Sequence, residues 1–92
     1  MYAVYRMSRI SDRKKDRIKE EIIRELYENY PGFLFTEKIS ENVNRDNEFI
    51  LGLLNELAKG KVVNALNESK GLKVKRKWQL DENAFDAYKK LI

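Results

Sequence analysis

The sequence predicts an α+β fold: a three-helix core, a β-hairpin and one further helix at the C-terminus. Three observations carry that expectation. Residues 36–60, TEKISENVNRDNEFILGLLNELAKG, place Ile39, Val43, Ile50, Leu53, Leu54 and Leu57 at helical spacings, one apolar stripe on each of two helices joined by a tight turn. Gly60 stops that run, and Val62-Val63 and a lysine-rich alternating stretch follow at once, as in a hairpin. The flanking segments 12–29 and 82–92 each repeat apolar residues with a helical period.

Composition sets outer bounds. Ninety-two residues make one small domain, and 42% apolar with 11% aromatic residues is enough for a folded core. So short a chain buries a smaller fraction of its surface than a large domain does, and a dimer would add to that burial. A net charge of +4 permits an anionic partner without demanding one. There is no cysteine and no histidine, which removes disulfides, thiolate metal sites and the commonest catalytic base. The four glycines are scattered and build no phosphate-cradling loop. The expectation is therefore no enzyme, no cofactor and no metal. No apolar run approaches ~18 residues, so no membrane partner is expected. The opening MYAVYRMSR has no signal-peptide core, which makes the cytoplasm the expected compartment.

The order of parts in residues 12–80 resembles the winged helix-turn-helix family of DNA-binding domains. The resemblance rests on Ile39-Ser40-Glu41, Val43-Asn44, Ile50, Leu53-Leu54, Leu57 and Gly60-Lys61-Val62-Val63. The last run is similar to the family's passage from recognition helix into wing. It implies helix 2 at 37–43, a recognition helix at 47–59 and a wing at 61–80. The family turn tends to carry glycine and then an apolar residue, whereas Asn44 and Arg45 stand there in this chain. Asparagine tolerates the left-handed backbone such a turn needs.

In chain order, residues 1–10 read as an arm. Tyr2, Val4 and Arg6 alternate weakly with Ala3, Tyr5 and Met7, as in a short strand, a ragged terminus or a dimer contact. Ser11 or Asp12 caps helix 1, residues 12–29, whose buried stripe is Ile18, Ile22, Leu26 and Tyr30, with Ile23 and Tyr27 beside it. Its first half carries Arg13, Lys14, Lys15, Arg17 and Lys19, and its second half Glu20, Glu21, Glu25 and Glu28. That order opposes the helix dipole, so the basic end reads either as a solvated face or as a contact for phosphates. Pro31-Gly32 ends the helix. Phe33 and Phe35 point to one face and are expected to anchor the core, and the resemblance implies a short strand here that pairs with the wing. Thr36 is the expected N-cap of helix 2. The N–H groups at that end make Thr36 and Lys38 candidates for contact with the DNA backbone, against the reading of a plain cap.

On the third helix, with Asp46 as N-cap, the face away from the apolar stripe shows Asn47, Glu48, Leu51, Gly52, Asn55 and Lys59. Asparagine suits adenine in the major groove and leucine a thymine methyl, so Asn47, Leu51, Gly52 and Asn55 are the candidate base-facing residues, with Arg45 at the entry. Asp46, Glu48 and Glu56 count against DNA, although the first two suit a helix start.

The hairpin reads as strands Lys61–Glu68 and Leu72–Leu80 around a Ser69-Lys70-Gly71 turn. Leu72, Val74, Trp78 and Leu80 share one face, with Arg76 at its edge, and Lys73, Lys75, Lys77 and Gln79 share the other. Six bases and one acid lie between Lys61 and Leu80. Lysines at every second residue form a ladder of charge about 7 Å apart that suits a phosphate backbone. The same ladder also serves to protect an exposed strand edge. Lys70, Lys73, Lys75, Arg76 and Lys77 are the candidate wing contacts. Asp81 caps the last helix, 82–92, whose apolar face is Ala84, Phe85, Tyr88 and Leu91.

The function expected is sequence-specific or semi-specific binding of duplex DNA by a transcriptional regulator. A homodimer through the N-terminal arm, the terminal helices or both would set half-sites about 34 Å apart. The alternative is a protein-interaction winged helix with no direct DNA role, which the acids of the third helix favour. RNA binding by the basic hairpin is a third reading, weakened by the scarcity of exposed aromatics.

Overall fold

The chain runs α1 (Tyr2–Asn29), β1 (Leu34–Phe35), α2 (Thr36–Val43), α3 (Asn47–Lys59), β2 (Val63–Lys70), β3 (Lys73–Leu80) and α4 (Glu82–Leu91). The computed structural model describes the backbone of residues 2–91 and the side chains of residues 13–69 and 71–91.

Helix α1 begins ten residues earlier than expected, and the segment read as an arm is helical. No proline or glycine precedes Pro31, and Ser11 and Asp12 cost a helix interior only tenths of a kcal/mol. The side chains of residues 2–12, including those proposed for a dimer contact, lie outside the described residues. The new start also removes the dipole argument. The basic run 13–19 falls mid-helix, and the dipole acts only on the first and last turns.

The core is one cluster. Ile18, Ile22 and Leu26 of α1 meet Ile39 of α2, and Ile50, Leu53, Leu54 and Leu57 of α3. Val63, Trp78 and Leu80 close it from the sheet. The stripes expected of the three helices are thus the ones buried, except that Tyr30 and Val43 are only partly buried against the cluster. At the far end of α1, Tyr27 and Tyr30 stack on Phe85 of α4 with ring centroids 4.9 and 4.0 Å apart, and so dock the last helix. Asp81 opens α4 as expected, its carboxylate accepting from the Asn83 N–H at 3.1 Å.

The sheet is antiparallel with order β1-β3-β2, so β3 is central at its base. Leu34 pairs with Trp78 and Phe35 with Lys77. Directly opposed residues share a face, so Leu34 points to the core with Trp78 while Phe33 and Phe35 point outward. The expectation that the two phenylalanines anchor the core is therefore corrected to Leu34. Phe33 and Phe35 lie instead beneath Lys77 and Lys75, whose ammonium groups sit 5.1 and 5.8 Å from the ring centroids. Edge protection no longer accounts for Lys77, which is paired on both sides.

The hairpin bounds also differ: the first strand starts and ends two residues later than expected, at Val63 and Lys70, and the second starts one residue later, at Lys73. Lys70 pairs with Lys73, leaving Gly71-Leu72 as a two-residue loop with Gly71 at φ 63, the first central position where a type II′ turn needs glycine. The apolar face of β3 is buried only at its base. Trp78 and Leu80 are core, whereas Leu72 and Val74 are exposed.

Candidate nucleic-acid interface

Two local signals set the geometry of α2 and α3. Asn44 adopts φ 55 and ψ 52, the Asn44 N–H donates to Glu41 O at 3.2 Å and the Arg45 N–H to Ser40 O at 3.0 Å. This is a Schellman stop with asparagine in the left-handed place. Asp46 then caps α3 by accepting from the Phe49 N–H at 3.4 Å. An arginine where the turn usually has an apolar residue leaves it intact, because backbone bonds hold it.

Thr36 is not the cap of α2. Phe35 occupies that place without a side-chain bond, and Thr36 opens the helix. Its hydroxyl accepts from Trp78 Nε1 at 2.8 Å and donates to Arg76 O at 3.2 Å, and the residue is 6% exposed. The side chain proposed for backbone contact is thus an internal tie between α2 and β3. Lys38, its companion, is exposed on α2.

With Ile50, Leu53, Leu54 and Leu57 buried, the outward face of α3 carries Glu48, Gly52, Asn55 and Lys59, all exposed. On one flank lie Asn47 and Leu51. A groove of about 350 Å³ runs there between α3, the start of α2 and the hairpin, lined by Phe35, Thr36, Glu37, Asn47, Leu51, Asn67, Val74, Lys75 and Arg76. Leu51 is half-buried rather than exposed, and Asn47 Oδ1 accepts from the Ser40 hydroxyl at 3.2 Å. Arg76 crosses the groove. Its Nη1 donates to Asn55 Oδ1 at 3.3 Å and its Nε to Asn67 Oδ1 at 3.2 Å, with the guanidinium 5.7 Å from the Trp78 ring.

The lysine ladder is unequal. Lys73 is exposed near the tip, whereas Lys77 lies 3.7 Å from Glu68 with its side chain 24% exposed. The side chain of Lys70 lies outside the described residues.

On the other flank of α3 the acids have structural work. Glu56 Oε1 receives Lys19 Nζ of α1 at 3.1 Å. Arg45 is not gathered with the groove-facing asparagines. It lines a second cleft of about 360 Å³ with Lys14, Lys15, Arg17, Ile18, Glu21 and Phe49. Sequence reasoning missed this cleft as a unit, although the basic run on α1 was its visible half.

No family model and no curated protein sequence matches the chain. Solved structures do resemble it, among them the following three. The S. aureus MepR–DNA complex superposes with a TM-score of 0.66 at 15% identity, over 99% of this chain and 80% of that one. A MepR mutant from a multidrug-resistant S. aureus clinical isolate gives 0.65 at 16% identity, over 97% and 70%. An apo ZitR mutant from Lactococcus lactis gives 0.61 at 13% identity, over 98% and 67%. The chain has a winged-helix fold. In its terms α3 stands where a recognition helix stands, and the β2–β3 hairpin is the wing. Among the described residues no group of three or more acids, histidines or cysteines could hold a metal, and no helix is long and apolar enough to cross a membrane.

Proposed function

We propose that this winged helix binds duplex DNA as part of a transcriptional regulator, with α3 in the major groove and the wing on the flanking backbone. The observation that carries the reading is the bond from Arg76 of the wing to Asn55 on the outward face of α3. It sets a cation beside an amide that can accept and donate at a base edge. Asn47, Gly52 and Asn55 are the groove-facing residues in this reading, with Leu51 at the side. Lys73, Lys75 and Arg76 meet phosphates, and Lys38 a phosphate beyond α2. MepR, of similar fold, is known in complex with DNA, which supports the same use here.

The competing protein-interaction reading rested on three acids of α3. Asp46 is a helix cap and Glu56 is paired with Lys19, so only Glu48 is left to argue for it. The reading includes a homodimer in the cytoplasm. Leu91 on α4 is 81% exposed, so the last helix has apolar surface to give to a second copy.

The test is a salt-titrated anisotropy assay on a random ~30-base-pair duplex. Affinity should fall linearly in log–log form with a slope implying several released counterions. No binding at low salt overturns the proposal.

A further inference from the structure

The second cleft lies on the flank of α3 opposite the wing. Phe49 and Glu56 project from α3 on that side, Glu56 towards Lys19 of α1 and Phe49 into the cleft. Lys14, Lys15 and Arg17 come to the cleft from α1 and Arg45 from the turn before α3, four cations against one carboxylate, Glu21. Asp16 does not offset them. It is two residues from Lys14, about 200° round a helix of 3.6 residues per turn. Phe49, 36% exposed, gives the long stems of these side chains an apolar surface to lie on while their charges stay in water.

A helix in the major groove has a phosphate strand on each side of it, since that groove is only about 12 Å wide. The wing supplies cations on one side of α3. We propose that Lys14, Lys15 and Arg17 of α1, together with Arg45, form a second grip on the opposite phosphate strand of the same duplex. The domain then straddles the groove. This rests on the DNA-binding reading above and adds to it a contact surface from α1, outside the helix-turn-helix and the wing. It also explains why a basic run sits mid-helix, where the dipole has no use for it.

The experiment compares the full chain with the Lys14→Ala/Lys15→Ala/Arg17→Ala variant and, separately, Arg45→Ala, by the same anisotropy titration. Far-UV circular dichroism and thermal melting check the fold, and Lys14→Arg/Lys15→Arg serves as a charge-conserving control. The triple variant should bind about ten- to a hundredfold more weakly at low salt, its log–log slope shallower by about 2–3 from the loss of two or three phosphate contacts. Arg45→Ala should lose about one unit of slope, and the arginine control should keep the slope. If the parent binds and both alanine variants keep its affinity and slope, the second grip is wrong while the DNA reading stands. If the parent does not bind, both fall. A triple variant whose oligomeric state changes while its DNA slope does not would assign the cleft to a second copy and overturn the proposal.

Discussion

Arg76 Nη1 donates to Asn55 Oδ1 across 3.3 Å, and so the wing reaches the outward face of α3. The guanidinium is held by Asn67 as well, and lies near the Trp78 ring, so its position is set before any ligand arrives. Asn55, with its carbonyl oxygen turned to Arg76, has its amide donors set as well.

Removing that pair should separate binding from folding. Arg76 and Asn55 are exposed, so Arg76→Ala should cost stability less than about 1 kcal/mol. As the loss of a phosphate contact, it should weaken duplex binding whatever the sequence and lower the log–log salt slope by about 1. A double-mutant cycle with Asn55→Ala, read by anisotropy, should give a coupling of at least about 0.5 kcal/mol. Strict additivity would mean that the two residues act separately on the duplex.

Thr36 makes the opposite case, a residue read as functional that the fold uses internally. Its hydroxyl serves both Trp78 Nε1 and Arg76 O in a buried place. Thr36→Val keeps the shape and strands that donor and acceptor, so urea unfolding should show a loss of about 1–3 kcal/mol. Thr36→Ser keeps the hydroxyl and should lose less. A valine variant as stable as the parent would show that the bond contributes nothing net.

These two residues mark what the sequence could and could not convey. The bounds of α3, the cap at Asp46 and the left-handed Asn44 are local properties, decided within four residues, and they were legible. Thr36 was misread because the groups that use it, on Trp78 and Arg76, lie about forty residues away in the chain. Phe33 and Phe35 were misread because a two-residue strand has no alternation to fix its parity, and pairing with β3 decided for Leu34. The start of α1 was misread because a capping residue is a weak signal where no breaker precedes it. That Arg45 is a neighbour of Lys14 and Arg17 was not legible, since that closeness exists only once α1 packs on α3.

The end of α3 offers a sharper contrast. Gly60 was the expected stop, yet its φ is −80 and an added Cβ would meet only ordinary contacts at 3.7 Å and beyond. The left-handed residue is Lys61, at φ 62, with the Val62 N–H donating to Leu57 O at 2.9 Å. A non-glycine residue pays about 1–2 kcal/mol there. Lys61→Gly should therefore raise stability by up to about 1 kcal/mol, and Gly60→Ala should leave it within about 0.5 kcal/mol. Chemical denaturation of the two variants checks both, and destabilisation by Lys61→Gly would contradict this account of the stop.

Gly52 is the residue whose place the fold does not explain. It sits mid-helix on the outward face of α3, and a Cβ built there meets nothing within 4 Å. Glycine in a helix interior costs roughly 0.5–1 kcal/mol relative to alanine. Gly52→Ala should then raise the melting temperature, because it adds helix propensity and clashes with nothing in the chain. A methyl at that position has room in the free protein but not against a surface that the backbone approaches closely, as base edges would be in the proposed complex. The same variant should accordingly bind duplex DNA more weakly than the parent, most visibly on a specific site, where the helix sits deepest. A gain in stability with unchanged binding would mean that α3 does not enter the groove at Gly52. Weaker binding by the more stable protein would tie the glycine to the ligand, because no loss of folding could account for it.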